Sequence, residues 1–371
     1  MVVRTGGRGA SRSLLGYLIE RGLLDERDIV EGEVKVVDAS RRNRNVRVTT
    51  TLGKNYFIKQ ALDEERSETI RREAAFLRFA WETAPGSRLT GYLPALRDWD
   101  AERGAVVFEQ VPESLSLAEH QRRSRRWPVG LAGQAGAALA ALHTWQPAPA
   151  PAAEIALPDY GPPWALSIHQ PEIGIFDTMS GAGLEIVRIV QQAPSLGEAL
   201  DRLRDGWRAT AITHGDIKWD NFVVSRITGT RGRRLWLVDW ELVQRGDPLW
   251  DAGSFLSQYL DTWIASIPVV DAAGLSRSPE GWAQMPLERL QPAMRRFWDT
   301  YARAVGLDGA GRSDALARVA RYAAARLILT GVEAEQLHPQ LNNTGVLRLQ
   351  VAQNMLRRPA EAAAALFGIT G

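Results

Sequence analysis

HGDIKWDN (residues 214–221), FVVSRI (222–227), a Gly/Arg-rich turn and LWLVDWE (235–241) form the stretch whose reading decides the fold. Two apolar, β-branched runs joined by a turn read as a β-hairpin. Asp216 and Asn221 lie on the tight loop before it, and the returning strand delivers Asp239 beside that loop. Two carboxylates and an amide then converge at one edge. The trio suits phosphoryl transfer: one carboxylate orients an attacking hydroxyl and accepts its proton, while the other and the amide oxygen hold magnesium, which takes hard oxygen ligands.

Working outward, EVKVVD (33–38), NVRVTT (45–50) and NYFIKQ (55–60) read as an antiparallel meander, followed by a charged helix from about Asp63 to Trp81 and a strand AVVFEQV (105–111). Upstream, Leu14, Leu15, Leu18, Ile19, Leu23 and Leu24 mark a helix from Ser13 to about Ile29, interrupted near Gly22. Residues 1–13, rich in Gly, Arg and Ser, read as disordered, and GGRGASRS lacks the Gly-Lys-Ser/Thr ending of a P-loop. The pattern changes near Pro112. After it come a small-residue helix (129–145), an extended PAPAPAA segment (147–153), helices around 183–193 and 197–209, and mostly helix from 250 onward. The expected division is a tail and helix over 1–30, a small lobe over 31–111 and a larger lobe over 112–371.

The chain has 371 residues, enough for more than one core, and 45 Lys plus Arg against 43 Asp plus Glu leave a net charge of +2. So small an excess argues against a nucleic-acid binder. The absence of cysteine excludes disulfides, thiolate zinc sites and cysteine nucleophiles. With no apolar run of signal-peptide or membrane-span length, the expectation is a cytoplasmic protein with no membrane partner. His120, His143, His169 and His338 share no local spacing, which argues against a histidine metal site. No Gly-x-Ser-x-Gly hydrolase signature is present.

HGDIKWDN with Asp239 on the strand that follows resembles the aminoglycoside phosphotransferase family of the protein-kinase-like fold, from about residue 30 to about 260 and more loosely to the C-terminus. The resemblance implies an α+β bilobal fold, with a small antiparallel-sheet N-lobe and a mostly helical C-lobe, using ATP and Mg2+. It makes Asp216 the catalytic base, Asn221 and Asp239 the magnesium ligands, and His214 a brace for the loop. Lys59, in the apolar strand YFIKQ, takes the place of the phosphate-anchoring lysine and Glu73 that of its ion-pair partner, with Glu68 and Glu82 as weaker candidates. Lys218, two residues after Asp216, would stabilise charge on the transferred phosphoryl group, or is a surface lysine. The backbone at Glu109, Gln110 and Val111 would meet an adenine edge. Glu241 and Asp251 would support the site from behind.

One element departs from the family pattern. ASRRNRN (39–45) has no glycine where protein kinases carry a Gly-rich loop. Ser40 and Arg42 are nucleotide-contact candidates there. Arg41, Arg42 and Arg44 either grip phosphates or form a solvated turn with Ser40 and Asn43.

For the acceptor, 12 acidic residues against 13 arginines from 242 to the C-terminus favour a neutral or mixed-charge molecule over a polycation. Trp164, Trp207, Trp250, Trp263, Trp282 and Trp298 either line a broad acceptor site or fill the core. Three functions follow. The first is phosphotransfer to a hydroxyl of a small molecule or natural-product intermediate. The second is phosphorylation of Ser/Thr in a ribosomal precursor peptide, with a partner lyase. The third is a non-catalytic kinase-like scaffold.

Overall fold

The computed structural model describes residues 3–4, 8–38, 44–111, 114–146, 157–226, 232–270, 276–277 and 285–370. In chain order the elements are β1 (Val3–Arg4), α1 (Arg8–Glu20), α2 (Glu26–Val30), β2 (Val34–Asp38), β3 (Arg44–Thr50), β4 (Asn55–Gln60), α3 (Glu64–Thr83), β5 (Leu96–Asp100), β6 (Ala105–Glu109), β7 (Leu115–Ser116), α4 (Leu117–Ser124), α5 (Val129–His143), α6 (Gly181–Gln191) and α7 (Pro194–Asp205). Then follow β8 (Ala211–Thr213), β9 (Phe222–Arg226), β10 (Arg233–Leu237), β11 (Gln244–Gly246), α8 (Pro248–Ala265), β12 (Val269–Val270), β13 (Ser276–Arg277), α9 (Gln291–Ala304), α10 (Gly309–Ala334), α11 (Asn343–Arg357) and α12 (Pro359–Ala362). The architecture is α+β. Two compact units form: the first draws on the chain up to Ser116 and on Phe222–Val243, the second on Leu117–Trp145, Leu157–Asn221 and Gln244–Gly371.

The first unit is organised by a six-stranded sheet of order β1-β2-β3-β4-β6-β5, antiparallel except for the β1–β2 pair. The expected meander is there, with a left-handed Gly53 (φ 91°) in the β3–β4 turn. Alternating Val36, Val46, Val48, Tyr56 and Ile58 are buried together with Tyr17 and Leu18 of α1 and Leu24. A strand's period of two puts such residues on one face. On α3, Ile70, Ala74, Phe76, Leu77 and Ala80 are buried at helical spacing, and Asp63 caps its start by accepting from the Arg66 N–H at 2.9 Å. A second, three-stranded sheet has order β10-β9-β7.

The N-terminus differs from expectation. Instead of a disordered segment up to residue 13, α1 begins at Arg8, because a helix anchored by Tyr17 and Leu18 extends N-terminally at little cost once nucleated. The interruption expected near Gly22 is there: α1 and α2 are separated at the left-handed Gly22, and α2 is started by the Asp25 capping box. The extended 147–153 segment, Ser40, Arg41, Arg42, Asn43, Pro112 and Trp282 lie outside the described residues.

The second unit is helical. α5 packs along α9, and α10 lies against α8 and α11. The small residues of α5 make this possible: a Cβ on Gly136 would stand 2.5 Å from the Phe297 carbonyl oxygen. Gly253 of α8 meets α10 as closely, 2.8 Å from Tyr322 Cβ. Phe255 and Phe297 stack at 4.3 Å between centroids. β8 and β11 form a short antiparallel pair, Thr213 opposite Gln244, and this pair launches the 214–221 loop. Among the described residues no helix is long and apolar enough to cross a membrane.

Gly136→Ala decides between two effects. Alanine favours an isolated helix by about 1 kcal/mol, whereas overpacking costs about 1–3 kcal/mol, and here the obstacle is backbone. The expected outcome is a lower urea midpoint by circular dichroism; an unchanged or higher midpoint would show that the α5–α9 contact gives way.

Candidate active site

In the first unit, Lys59 on β4 is buried, and a buried ammonium is tolerable only when paired. Its Nζ lies 2.8 Å from Glu73 Oε2 and 2.6 Å from Asp239 Oδ1. Burial alone would lower the Lys59 pKa, but the Glu73 and Asp239 carboxylates outweigh it and hold the pKa above the ordinary lysine value. Glu73 on α3 also accepts from the Trp240 N–H through Oε1 at 3.2 Å. Trp240 is buried, stacked on Phe76 at 4.6 Å, and its Nε1 donates to the Leu237 carbonyl at 3.1 Å. These anchors fix Asp239 at φ 70°, a left-handed conformation uncommon for a non-glycine residue. Glu68 and Glu82 pair with Arg71 and Arg78 on the surface, so Glu73 alone of the three candidates meets Lys59.

In the second unit, Asp251 in the first turn of α8 is fully buried and receives the loop backbone: the His214 N–H donates to Oδ2 at 2.7 Å and the Gly215 N–H to Oδ1 at 3.2 Å. Gly215 has φ 81°, which glycine alone adopts freely. The same carboxylate lies 3.2 Å from Nε2 of His143, at the end of α5, and His143 Nδ1 lies 3.0 Å from the Tyr301 hydroxyl on α9. Burial first, then the charge of Asp251, pushes the Tyr301 pKa up, so it stays a neutral phenol.

The loop so held presents Asp216. Lys218 Nζ is 2.5 Å from its Oδ2, and Asn221 Nδ2 donates to its carbonyl oxygen at 2.8 Å and to Oδ2 at 3.3 Å. The buried His214 ring accepts weakly from the Asp216 N–H, with Nδ1 at 3.4 Å. Burial works to raise the Asp216 pKa, but Lys218, Arg326 and His214 overcome it and hold the carboxyl below its ordinary value. Asp216 is therefore ionised at neutral pH. Because the Asn221 amide nitrogen faces Asp216, its oxygen is the atom left for a cation.

The backbone at 109–111 offers fewer donors to an adenine edge than expected. The Glu109 N–H donates to Ala95 O at 2.9 Å and the Gln110 N–H to Asn55 O at 2.8 Å, while the Glu109 side chain pairs with Arg97. Among the described residues that leaves the Val111 N–H as the donor of this stretch. Arg44 donates to Gln60 Oε1 at 3.1 Å, and the Glu241 carbonyl accepts from Arg72 at 3.1 Å. Trp250 and Trp298 are core, and the rings of Trp207 and Trp250 pack edge-on against Tyr322. His143 and Tyr301 were not legible as site residues, since their partners lie 108 and 158 residues away; the only local signal was a histidine ending an apolar helix.

The phosphotransferase enzyme family model matches residues 33–287. The chain belongs to that family. It is thus a phosphotransferase, and ATP with Mg2+ are the family's cofactors. Solved structures similar to this phosphotransferase include the ethanolamine kinase of Plasmodium vivax (13% identity, 95% of this chain and 90% of that one, TM-score 0.55). The choline kinase of Cryptosporidium parvum is also similar (10% identity, 96% and 98%, TM-score 0.55). A macrolide 2'-phosphotransferase of Brachybacterium faecium matches with 16% identity, 94% and 98% coverage and TM-score 0.46. At these identities the likeness shows the fold. No curated protein sequence matches the chain.

Asp251→Ala removes the acceptor for two backbone N–H groups in a dry site, each bond to a charged group contributing about 1.5–3 kcal/mol. The phosphotransferase should lose both denaturant stability and kcat, with the nucleotide KM moving less. A variant of wild-type kcat and stability would show that the loop does not depend on this carboxylate.

Proposed function

We propose that this phosphotransferase moves the γ-phosphate of ATP to a hydroxyl of a small molecule or natural-product intermediate of neutral or mixed charge. The observation that carries the reading is Asp216: an ionised carboxylate on a backbone tied to Asp251, with the Lys218 cation 2.5 Å away. Asp216 orients the acceptor hydroxyl and takes its proton as the oxygen attacks phosphorus. Lys218 supplies positive charge where the transferred group gains negative charge. Lys59, steadied by Glu73, holds the nucleotide phosphates, and Val111 offers a backbone donor to the base.

Each expected magnesium ligand is chemically suited to that ion. An amide oxygen from Asn221 and a carboxylate from Asp239 are hard ligands of the kind it prefers, and the cation would neutralise phosphate charge. His214 acts through the loop and does not touch substrate. Ser40 and Arg42 remain candidates for phosphate contact, outside the described residues. A cytoplasmic location fits a chain without cysteine. Neither the family nor its structural neighbours support a precursor peptide with a partner lyase.

Asp216→Ala should lower kcat by about 10²–10⁴-fold while sparing nucleotide affinity by calorimetry. Asp239→Ala should weaken Mg-ATP binding as well as transfer. Wild-type transfer in either variant overturns the assignment. Incubating the protein with γ-labelled ATP and an extract of its source organism, with Asp216→Ala as the blank, should place label in the small-molecule fraction; label in peptide would refute the proposed acceptor class.

A further inference from the structure

A cavity of about 170 Å3 opens in the second unit against the loop that carries Asp216. Trp219 of that loop forms one wall, Arg122 of α4 and Trp127 another, and Gln258, Asp261 and Thr262, on one face of α8, a third. A void of this size has room for one six-membered ring, since a 150 Å3 cavity accepts benzene.

The polar atoms of the wall are of mixed kind. Trp219 is buried with its ring edge-on to Tyr259, and its Nε1–H has no hydrogen-bond partner among the described residues, an omission that costs about 1–3 kcal/mol unless a ligand supplies the acceptor. Gln258 accepts from the Trp219 N–H through Oε1 at 3.4 Å, which leaves its amide nitrogen as a donor. Asp261 binds Arg348 Nε through Oδ1 at 2.6 Å, and its Oδ2 has no partner among the described residues. Thr262 donates to the Gln258 carbonyl at 2.8 Å, so its oxygen keeps only the role of acceptor.

The lining itself holds one acid and one base, each ion-paired, Asp261 with Arg348, which also reaches Glu335, and Arg122 with Glu119, which also pairs with Arg123. A cation or an anion would therefore meet no unbalanced countercharge. Hydroxyl groups, each both donor and acceptor, match two donors and two acceptors set beside apolar indole. We propose that this cavity receives the acceptor and that the acceptor presents to it a neutral polyhydroxylated ring, of sugar or cyclitol type. The inference rests on the phosphotransfer reading above and supplies its substrate class. A ring hydroxyl attacks the γ-phosphorus, the bond from that phosphorus to the β–γ bridging oxygen breaks, the hydroxyl proton passes to Asp216, and the products are a phosphate monoester and ADP.

The test is calorimetric titration of the full chain with D-glucose, myo-inositol and choline, together with ADP release on each. The expected result is that a ring compound binds and is phosphorylated in preference to choline. Trp219→Phe and Thr262→Val, which keep shape and remove one polar group each, should raise its Kd and KM about three- to tenfold with kcat largely kept. Asp216→Ala should bind the ring and fail to phosphorylate it. Preference for choline, no binding of either ring compound, or unchanged Kd in both cavity variants would overturn the ring assignment and leave phosphotransfer standing. Ring binding to wild type with no transfer to any acceptor would instead overturn the phosphotransfer reading on which the substrate assignment rests.

Discussion

A single buried ammonium ties the first unit together. Lys59 comes from the sheet, Glu73 from α3 and Asp239 from the segment after β10, and all three meet within 2.8 Å. A charge so placed is stable only while its partners stay, and removing one partner of a buried pair typically costs about 3–5 kcal/mol. Glu73 serves twice, since its second oxygen receives the Trp240 N–H and so sets where the chain goes after Asp239. The left-handed Asp239, a conformation costing on the order of 1–3 kcal/mol, is tolerated because the buried Trp240 and its stack on Phe76 over-determine the backbone there.

The second unit solves the same problem with the opposite charge. Asp251 is a buried carboxylate answered by two backbone N–H groups and by His143, which leans on Tyr301. The close helix packing allowed by Gly136 and Gly253 keeps α5, α8, α9 and α10 in fixed positions, and it is from α5, α8 and α9 that these groups project. Packing at native density makes the helical frame stiff. That stiffness reaches the loop through Asp251, and so through two hydrogen bonds to the residues just before Asp216.

What could be read from residues alone followed the range of the interaction. The hairpin, the meander and α3 announced themselves by periods of two and 3.6, and Lys59 stood out as a charge in an apolar strand. The loop motif was legible because its members are neighbours: Asp216, Lys218 and Asn221 contact one another over five residues or fewer. His143 was not, because nothing local distinguishes a histidine under a carboxylate from one in water. The tryptophans could not be sorted between core and acceptor site for a similar reason. Those singled out for the acceptor include core residues such as Trp298, while Trp127 and Trp219 line the cavity, and burial is a property of the fold rather than of the residue type. The early start of α1 reflects cooperativity, which composition underrates.

The discontinuity of the first unit bears on how the protein is made. Lys59 and Asp239 are separated by 180 residues, and at about 5–20 residues per second roughly 10–40 s of translation divides them. Throughout that interval the nascent sheet carries a lysine that has Glu73 but not Asp239, and β7 lacks β9, the strand it will pair with. Closing so long a loop adds only a slowly growing entropic cost, yet on the ribosome the first unit emerges early and is completed late. An unfinished sheet edge of this kind is where a nascent chain meets chaperones or its neighbours on a polysome.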